Sequence, residues 1–202
     1  MSDERLRRAE RAALASGGRL EDRAAVLRER LRAGEVPVWG LRLAAFLGDE
    51  VAQAMLGEDA PGVGRPPIAA WLAGLEPWSP LVHLRAAVAA GRHALEHVGA
   101  DWRSESAEPG LLAVERWIVE RTPARREETL AWVRRQPVEW VRLPLEAVRG
   151  PGGPRRKRTA AYSIRTAALY VRDDQALIAA ITAELLPWAL GLADPVAERA
   201  RA

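Results

Sequence analysis

Proline recurs at the front of one short Ala/Leu-rich segment after another, and that placement constrains the fold more than any other feature of the chain. Pro37, Pro80, Pro109, Pro123, Pro137 and Pro195 each precede a stretch of helical periodicity. The first turn of a helix tolerates proline because its missing N–H would be unpaired there anyway. Residues that cap helices stand beside several of them: Ser79 before Pro80, Thr122 before Pro123, Asp194 before Pro195, and Asp49 ahead of its own segment. Glycine closes the segments at Gly17-Gly18, Gly34, Gly48 and Gly57.

The punctuation predicts helices over 3–15 and 21–33, forming a hairpin, then 37–48, 49–57, a short one through Trp71 to Leu75, and a long one over 80–98. Further helices are expected from Pro109 through Trp117, from Pro123 through Trp132, and from Pro137 onward, the last kinked or divided by Pro144. Two more follow over 159–171 and 174–190, kinked at Pro187. The hydrophobic 49% is mostly Ala, Leu and Val, with one Phe and two Tyr, whereas a sheet would favour β-branched and aromatic residues. The fold class is therefore all-α: about ten short helices in an orthogonal helical bundle or an irregular α-solenoid of HEAT-like helical pairs. Residues 1–57 form N-terminal helical hairpins, 58–67 a linker, and 68–202 the main helical domain, packed with the first part as one unit.

The 80–98 helix carries two stripes at spacings of three and four. One is Leu81, Leu84, Val88, Gly91, Leu95 and Val98, and the other is Ala86, Ala89, Ala90, His93 and His97. Two apolar faces call for neighbours on both sides.

Absences narrow the chemistry. The sequence has no cysteine, which removes disulfides, thiolate catalysis and Cys-ligated zinc. Met1-Ser2-Asp3-Glu4-Arg5 lacks the apolar stretch of a secretory signal, and no apolar run approaches the length of a membrane span. The expected location is cytoplasmic, with no membrane partner. Gly62-Val63-Gly64 lacks the Lys-Ser/Thr of a P-loop, and no G-x-S-x-G string occurs. No cofactor is expected, and the sequence points away from catalysis without excluding it.

Charge is unevenly placed. Residues 121–158 hold eleven Arg/Lys against four Glu, while the whole chain is only +3. Within this segment Arg149-Gly-Pro-Gly-Gly-Pro-Arg-Arg-Lys-Arg158 reads as a flexible basic loop over 149–158. Its Arg149, Arg155, Arg156, Lys157 and Arg158 are candidate contacts for a partner or for nucleic-acid phosphates. Neither a groove-reading motif nor an aromatic RNA-binding set accompanies them.

The string His93-Ala94-Leu95-Glu96-His97 matches H-x-x-E-H. Histidines four apart share a helical face and can reach one zinc, with Glu96 activating water. A third ligand, such as Glu184 or Glu146, would have to come from elsewhere, and His83 lies about 15 Å away along the axis. The plainer reading is two histidines on an alanine-rich face.

Two segments carry a resemblance. Leu43-Ala44-Ala45-Phe46-Leu47-Gly48-Asp49 with Met55-Leu56-Gly57 resembles a helical hairpin of uncharacterised proteins from GC-rich bacteria. Leu84-Arg85-Ala86-Ala87-Val88-Ala89-Ala90, the Glu115-Arg116-Trp117 helix and the 160–168 helix are similar to the Imm-5-like immunity-protein group. The resemblance implies an all-helical binder that neutralises or docks onto a protein partner, and it brings no catalytic residues.

The leading reading is thus a non-enzymatic protein-interaction module, an adaptor or immunity-like inhibitor, with Trp39, Trp78 and Trp102 as interface anchors. Nucleic-acid binding through 121–158 and a zinc hydrolase built on His93, Glu96 and His97 are the alternatives. A homodimer pairing an acidic N-terminal region with the basic segment is a further expectation.

Overall fold

The computed structural model describes residues 2–57, 66–97, 107–136, 138–149 and 153–202. They fold as an all-α protein of twelve helices, and among the described residues no strand occurs. Two compact units divide the chain. One comprises Met1–Gly64 with Leu186–Ala193, the other Arg65–Leu185 with Asp194–Ala202. Residues 58–65 of the expected linker lie outside the described residues.

In the first unit α1 (Ser2–Ala15) pairs with α2 (Leu20–Ala33), and α3 (Val38–Phe46) and α4 (Glu50–Leu56) complete the hairpins. The expected caps form. Asp49 accepts the Ala52 N–H at 2.8 Å, and Gly34 ends α2 in the left-handed conformation at φ 77°, where its N–H reaches the Arg30 and Leu31 carbonyls. The core gathers Leu27, Val36, Leu41, Ala44, Val51 and Ala52 around Leu190, with Leu186 packed against it. Gly40 is required here by close approach: a Cβ on it would overlap the carbonyl oxygen of Ala189.

The second unit is built around α6 (Pro80–His97), which packs against α7 (Ala107–Glu120), α9 (Glu139–Arg149) and α10 (Gly153–Val171). Residues 82–91 of α6 are all buried, so its alanines let neighbouring helices approach closely on several sides. Of the second expected stripe, Ala86, Ala89 and Ala90 are buried, His93 half-buried and His97 exposed. Val98 lies outside the described residues. Helix α5 (Ile68–Leu75) lies against α10 and is tied to the start of α11 (Asp174–Ala189). There the Ile68 N–H donates to Asp174 at 2.9 Å and the Gln175 side chain donates to the Pro66 carbonyl at 3.0 Å. Helix α8 (Pro123–Val133) packs on α7 and α9, and α12 (Pro195–Arg201) on α7.

Three expectations need correction. The 149–158 segment is not a loop throughout, since α10 begins at Gly153 and Arg155, Arg156, Lys157 and Arg158 form its opening turns. Pro154 at the second helical position loses no intrahelical hydrogen bond, and Arg and Lys are good helix formers. Of the two outcomes expected at Pro144, a kink or a division, the division does not occur, since α9 runs through it. The Pro144 ring leaves the carbonyl four residues back, that of Trp140, without a helical donor, and the buried Ser163 hydroxyl of α10 donates to that carbonyl at 2.9 Å. The helix expected to open at Pro109 begins two residues earlier, at Ala107.

No helix among the described residues is long and apolar enough to cross a membrane.

Candidate functional site

Helix α10 presents Lys157, Arg158, Ala161 and Arg165 on one face, at helical spacings of one, three and four. Opposite them stand Leu72, Ala73 and Glu76 at the end of α5, and Pro80 and His83 in the first turn of α6. Together they enclose a cleft of about 900 Å³, large enough for a small organic ligand. Lys157 spans the cleft, its ammonium donating to the Glu76 carbonyl at 2.9 Å. Arg158 and Arg165 are exposed.

His83 is the unusual member. It is 2% exposed, both ring nitrogens are sealed from solvent, and the Leu75 and Glu76 backbone carbonyls are its hydrogen-bonding neighbours. Burial, reinforced by the Lys157 charge, depresses its pKa below the ordinary 6.5, although the nearby Leu75 and Glu76 carbonyls pull the other way. The ring is therefore neutral at pH 7, with one N–H donor and one acceptor.

The opening of α10 is strongly positive. Its first turn holds no acidic residue, and the helix dipole adds to the charge of four cations there. Two of the four are anchored inward. Arg156 donates to the Ala147 carbonyl at 2.9 Å and lies 5.1 Å over the Trp117 ring, while Lys157 makes its bond to Glu76. Burial, then the charges of Arg121 and Arg126, lower the Arg156 pKa. Arg155 and Arg158 face solvent. They begin a stripe that continues through Tyr162, Arg165, Leu169 and Arg172, all exposed, with Tyr162 at 52% and Leu169 at 75%. The first five span about 21 Å along one side of the helix, and Arg172 follows its last residue.

The other expected contacts fall elsewhere. The Arg149 side chain lies outside the described residues, as does Trp102. Trp39 is exposed and tilted against Trp188 with ring centroids 5.1 Å apart, while Trp78 is half-buried. Part of the 121–158 charge is paired locally: Arg125 bonds both Glu120 and Glu128, and Arg142 lies 3.4 Å from Glu146. In the N-terminal region expected to be acidic, Arg5, Arg8, Arg28 and Arg32 line the groove between α1 and α2 with Glu29.

His93 and His97 meet edge to face at 4.4 Å between ring centroids. His97 Nδ1 lies 2.9 Å from the His93 carbonyl oxygen, and His93 Nδ1 lies 3.4 Å from Glu96. Neither acidic residue nominated as a third ligand is unengaged, since Glu184 binds Arg199 and Glu146 pairs with Arg142. No group of three or more His, Asp or Glu placed to hold a metal occurs among the described residues.

Two polar clusters were missed from sequence. Glu115, 0% exposed, accepts from Arg92 at 2.5 and 3.2 Å and from Arg199 at 2.7 Å, and Arg199 also clasps Glu184 at 2.6 and 2.8 Å. Burial opposes the charge on Arg199, but the two carboxylates hold it firmly protonated. Arg85, 5% exposed, forms a two-pronged pair with Asp194 at 2.7 and 2.8 Å, and Asp194 also caps α12 through the Ala197 N–H. The partners lie 23, 84 and 109 residues apart, so no local pattern links them. His83, by contrast, had a visible signal: a lone histidine between Val82 and Leu84 in an apolar helix.

No family model, no curated protein and no solved structure matches the chain.

Proposed function

We propose that the chain is a non-enzymatic, cytoplasmic interaction module, an adaptor or immunity-like inhibitor, that docks onto an acidic-rimmed protein surface through the outward stripe of α10. The observation that carries this reading is the stripe itself, with Arg155, Arg158, Tyr162, Arg165, Leu169 and Arg172 all turned to solvent. Arg and Tyr are the side chains that dominate protein interfaces, supplying charge-assisted hydrogen bonds and rigid contact area. Leu169 favours a protein over a nucleic acid: an aliphatic side chain 75% exposed gains nothing from phosphates but can fill an apolar pocket between acidic residues. The local pairing of Arg125 and Arg142 also removes charge from the wider basic segment that a nucleic-acid backbone would track.

The test titrates the full-length protein with two probes of equal charge, an amphipathic peptide alternating Glu with Leu and a single-stranded oligonucleotide. The peptide should bind more tightly, and Tyr162→Ala with Leu169→Asp should weaken it about tenfold or more. Tighter binding of the oligonucleotide, or no response to the two substitutions, would overturn the reading.

A further inference from the structure

On the first unit we propose that the apolar cleft lined by α1, α2 and the residues just after α11 receives a second copy of the chain, each copy seating its Leu14 in the other's cleft about a two-fold axis. The cleft, of about 470 Å³, draws its walls from the core of the unit, with Leu27, Val51 and Leu190 opening into it. Beside them stand two aliphatic side chains left in water, Leu14 at 82% exposure and Leu192 at 63%. Both forgo the burial that an aliphatic group gains in an apolar site. Contiguous apolar surface of this kind marks a place where something docks.

The surface itself selects the occupant. It offers a projecting leucine and a hollow together, as a two-fold contact demands, because one patch must serve as both faces. Its charges are also of both signs. Glu10 and Asp49 line the cleft with Arg23 and Arg30, so the lining is neutral. Two of the four are committed within the unit: Asp49 caps α4, and Arg30 holds Glu35 at 3.1 Å and the Gly191 carbonyl at 3.3 Å. Glu10 and Arg23 are exposed and form no ion pair among the described residues. A two-fold axis sets Glu10 of one copy toward Arg23 of the other and repeats the pair in reverse, so that both free charges are answered at once. A uniformly acidic or basic partner would meet like charge at one of them. The α10 stripe has no such symmetry: its charged members are all arginines, which repel their own copy.

The stripe and the cleft share no residue, so the two proposals fail separately. Sedimentation equilibrium of the full-length protein, from about 1 to 200 μM at low salt, should show a reversible monomer–dimer exchange with a Kd below about 100 μM. Leu14→Asp should weaken it more than about tenfold. Glu10→Arg and Arg23→Glu should each weaken it about tenfold, and the double variant carrying both should return to within about threefold of the parent, since the exchanged charges again face their opposites. All three side chains are exposed, which keeps the variants folded. Tyr162→Ala with Leu169→Asp should leave the exchange unchanged. The inference is overturned if the protein stays monomeric throughout, if Leu14→Asp dimerises as the parent does, or if the double variant is no tighter than the single ones. A monomer that binds the apolar dye anilinonaphthalene sulfonate, and loses it when Val26→Trp fills the cleft, would assign the site to a small apolar ligand instead.

Discussion

Glu115 and His83 are both sealed from solvent in the same unit, at 0% and 2% exposure, yet they are treated in opposite ways. Both Glu115 oxygens are met by guanidinium donors from α6 and α12, and those arginines reach further carboxylates, Glu108 and Glu184. His83 meets no carboxylate or cation by hydrogen bond, only the neutral backbone carbonyls of Leu75 and Glu76. A buried ionisable group with a complete set of partners behaves as a structural fastener, because removing it takes a shared acceptor from the arginines that converge on it. One that meets only neutral carbonyls and stays uncharged strands no charge when it is removed. The contrast separates a charged fastener from a neutral packing residue.

Three substitutions probe the contrast, beginning with the most damaging. Glu115→Ala should destabilise the unit by about 3–5 kcal/mol in urea denaturation, since Arg92 and Arg199 lose their shared acceptor in a dry setting. A loss under about 1 kcal/mol would mean the network is as dispensable as a surface pair.

Asp194→Ala should cost about 2–4 kcal/mol, because it removes both the carboxylate facing buried Arg85 and the cap of α12, whereas Asp194→Asn keeps an oxygen for the cap and should cost less. Burial opposes the Asp194 charge, but the Arg85 guanidinium and the Ala197 N–H hold its carboxyl below the usual 3.8. Above 3.8 the contribution is complete. As the pH falls from there through the lower folded value, the unfolded chain takes up the proton first and stability is lost. Asp194→Asn should abolish this acid limb.

His83→Leu should change stability at neutral pH by less than about 1 kcal/mol, in either direction, since the hydrogen bonds of a neutral buried ring to backbone carbonyls are traded for the burial of an aliphatic chain of similar size. It should also flatten the pH dependence. The folded pKa lies below the ordinary 6.5, so stability is full above 6.5 and declines as the pH falls, where the unfolded chain protonates first. A loss as large as that of Glu115→Ala would erase the distinction between the two residues.

The capping grammar was legible because it is local. Asp49, Thr122 and Asp194 each accept from a backbone N–H three residues on, and Ser79 lies at the limit, 3.5 Å from the Val82 nitrogen. Reading failed where the answer lay across the fold. Nothing around Pro144 says that Ser163 will satisfy the carbonyl it frees, and no spacing links Arg85 to Asp194. The helical start at Gly153 was obscured by Gly-Pro-Gly-Gly-Pro, a run that reads as a breaker although its last two residues can open a helix. That one boundary hid the docking stripe. With it in place, the recurrence of 155, 158, 162, 165 and 169 becomes a visible face, which Arg172 extends.

The backbone contact between Gly40 and Ala189, with Leu190 closing the core around Leu27 and Val36, ties the order of assembly to synthesis. The first unit draws on Leu186–Ala193, which leave the ribosome roughly 130 residues after α4, a delay on the order of ten seconds. Until then the nascent hairpins expose a greasy seam, a natural client for chaperones, and a message truncated ahead of codon 186 would yield a product in which that seam never closes.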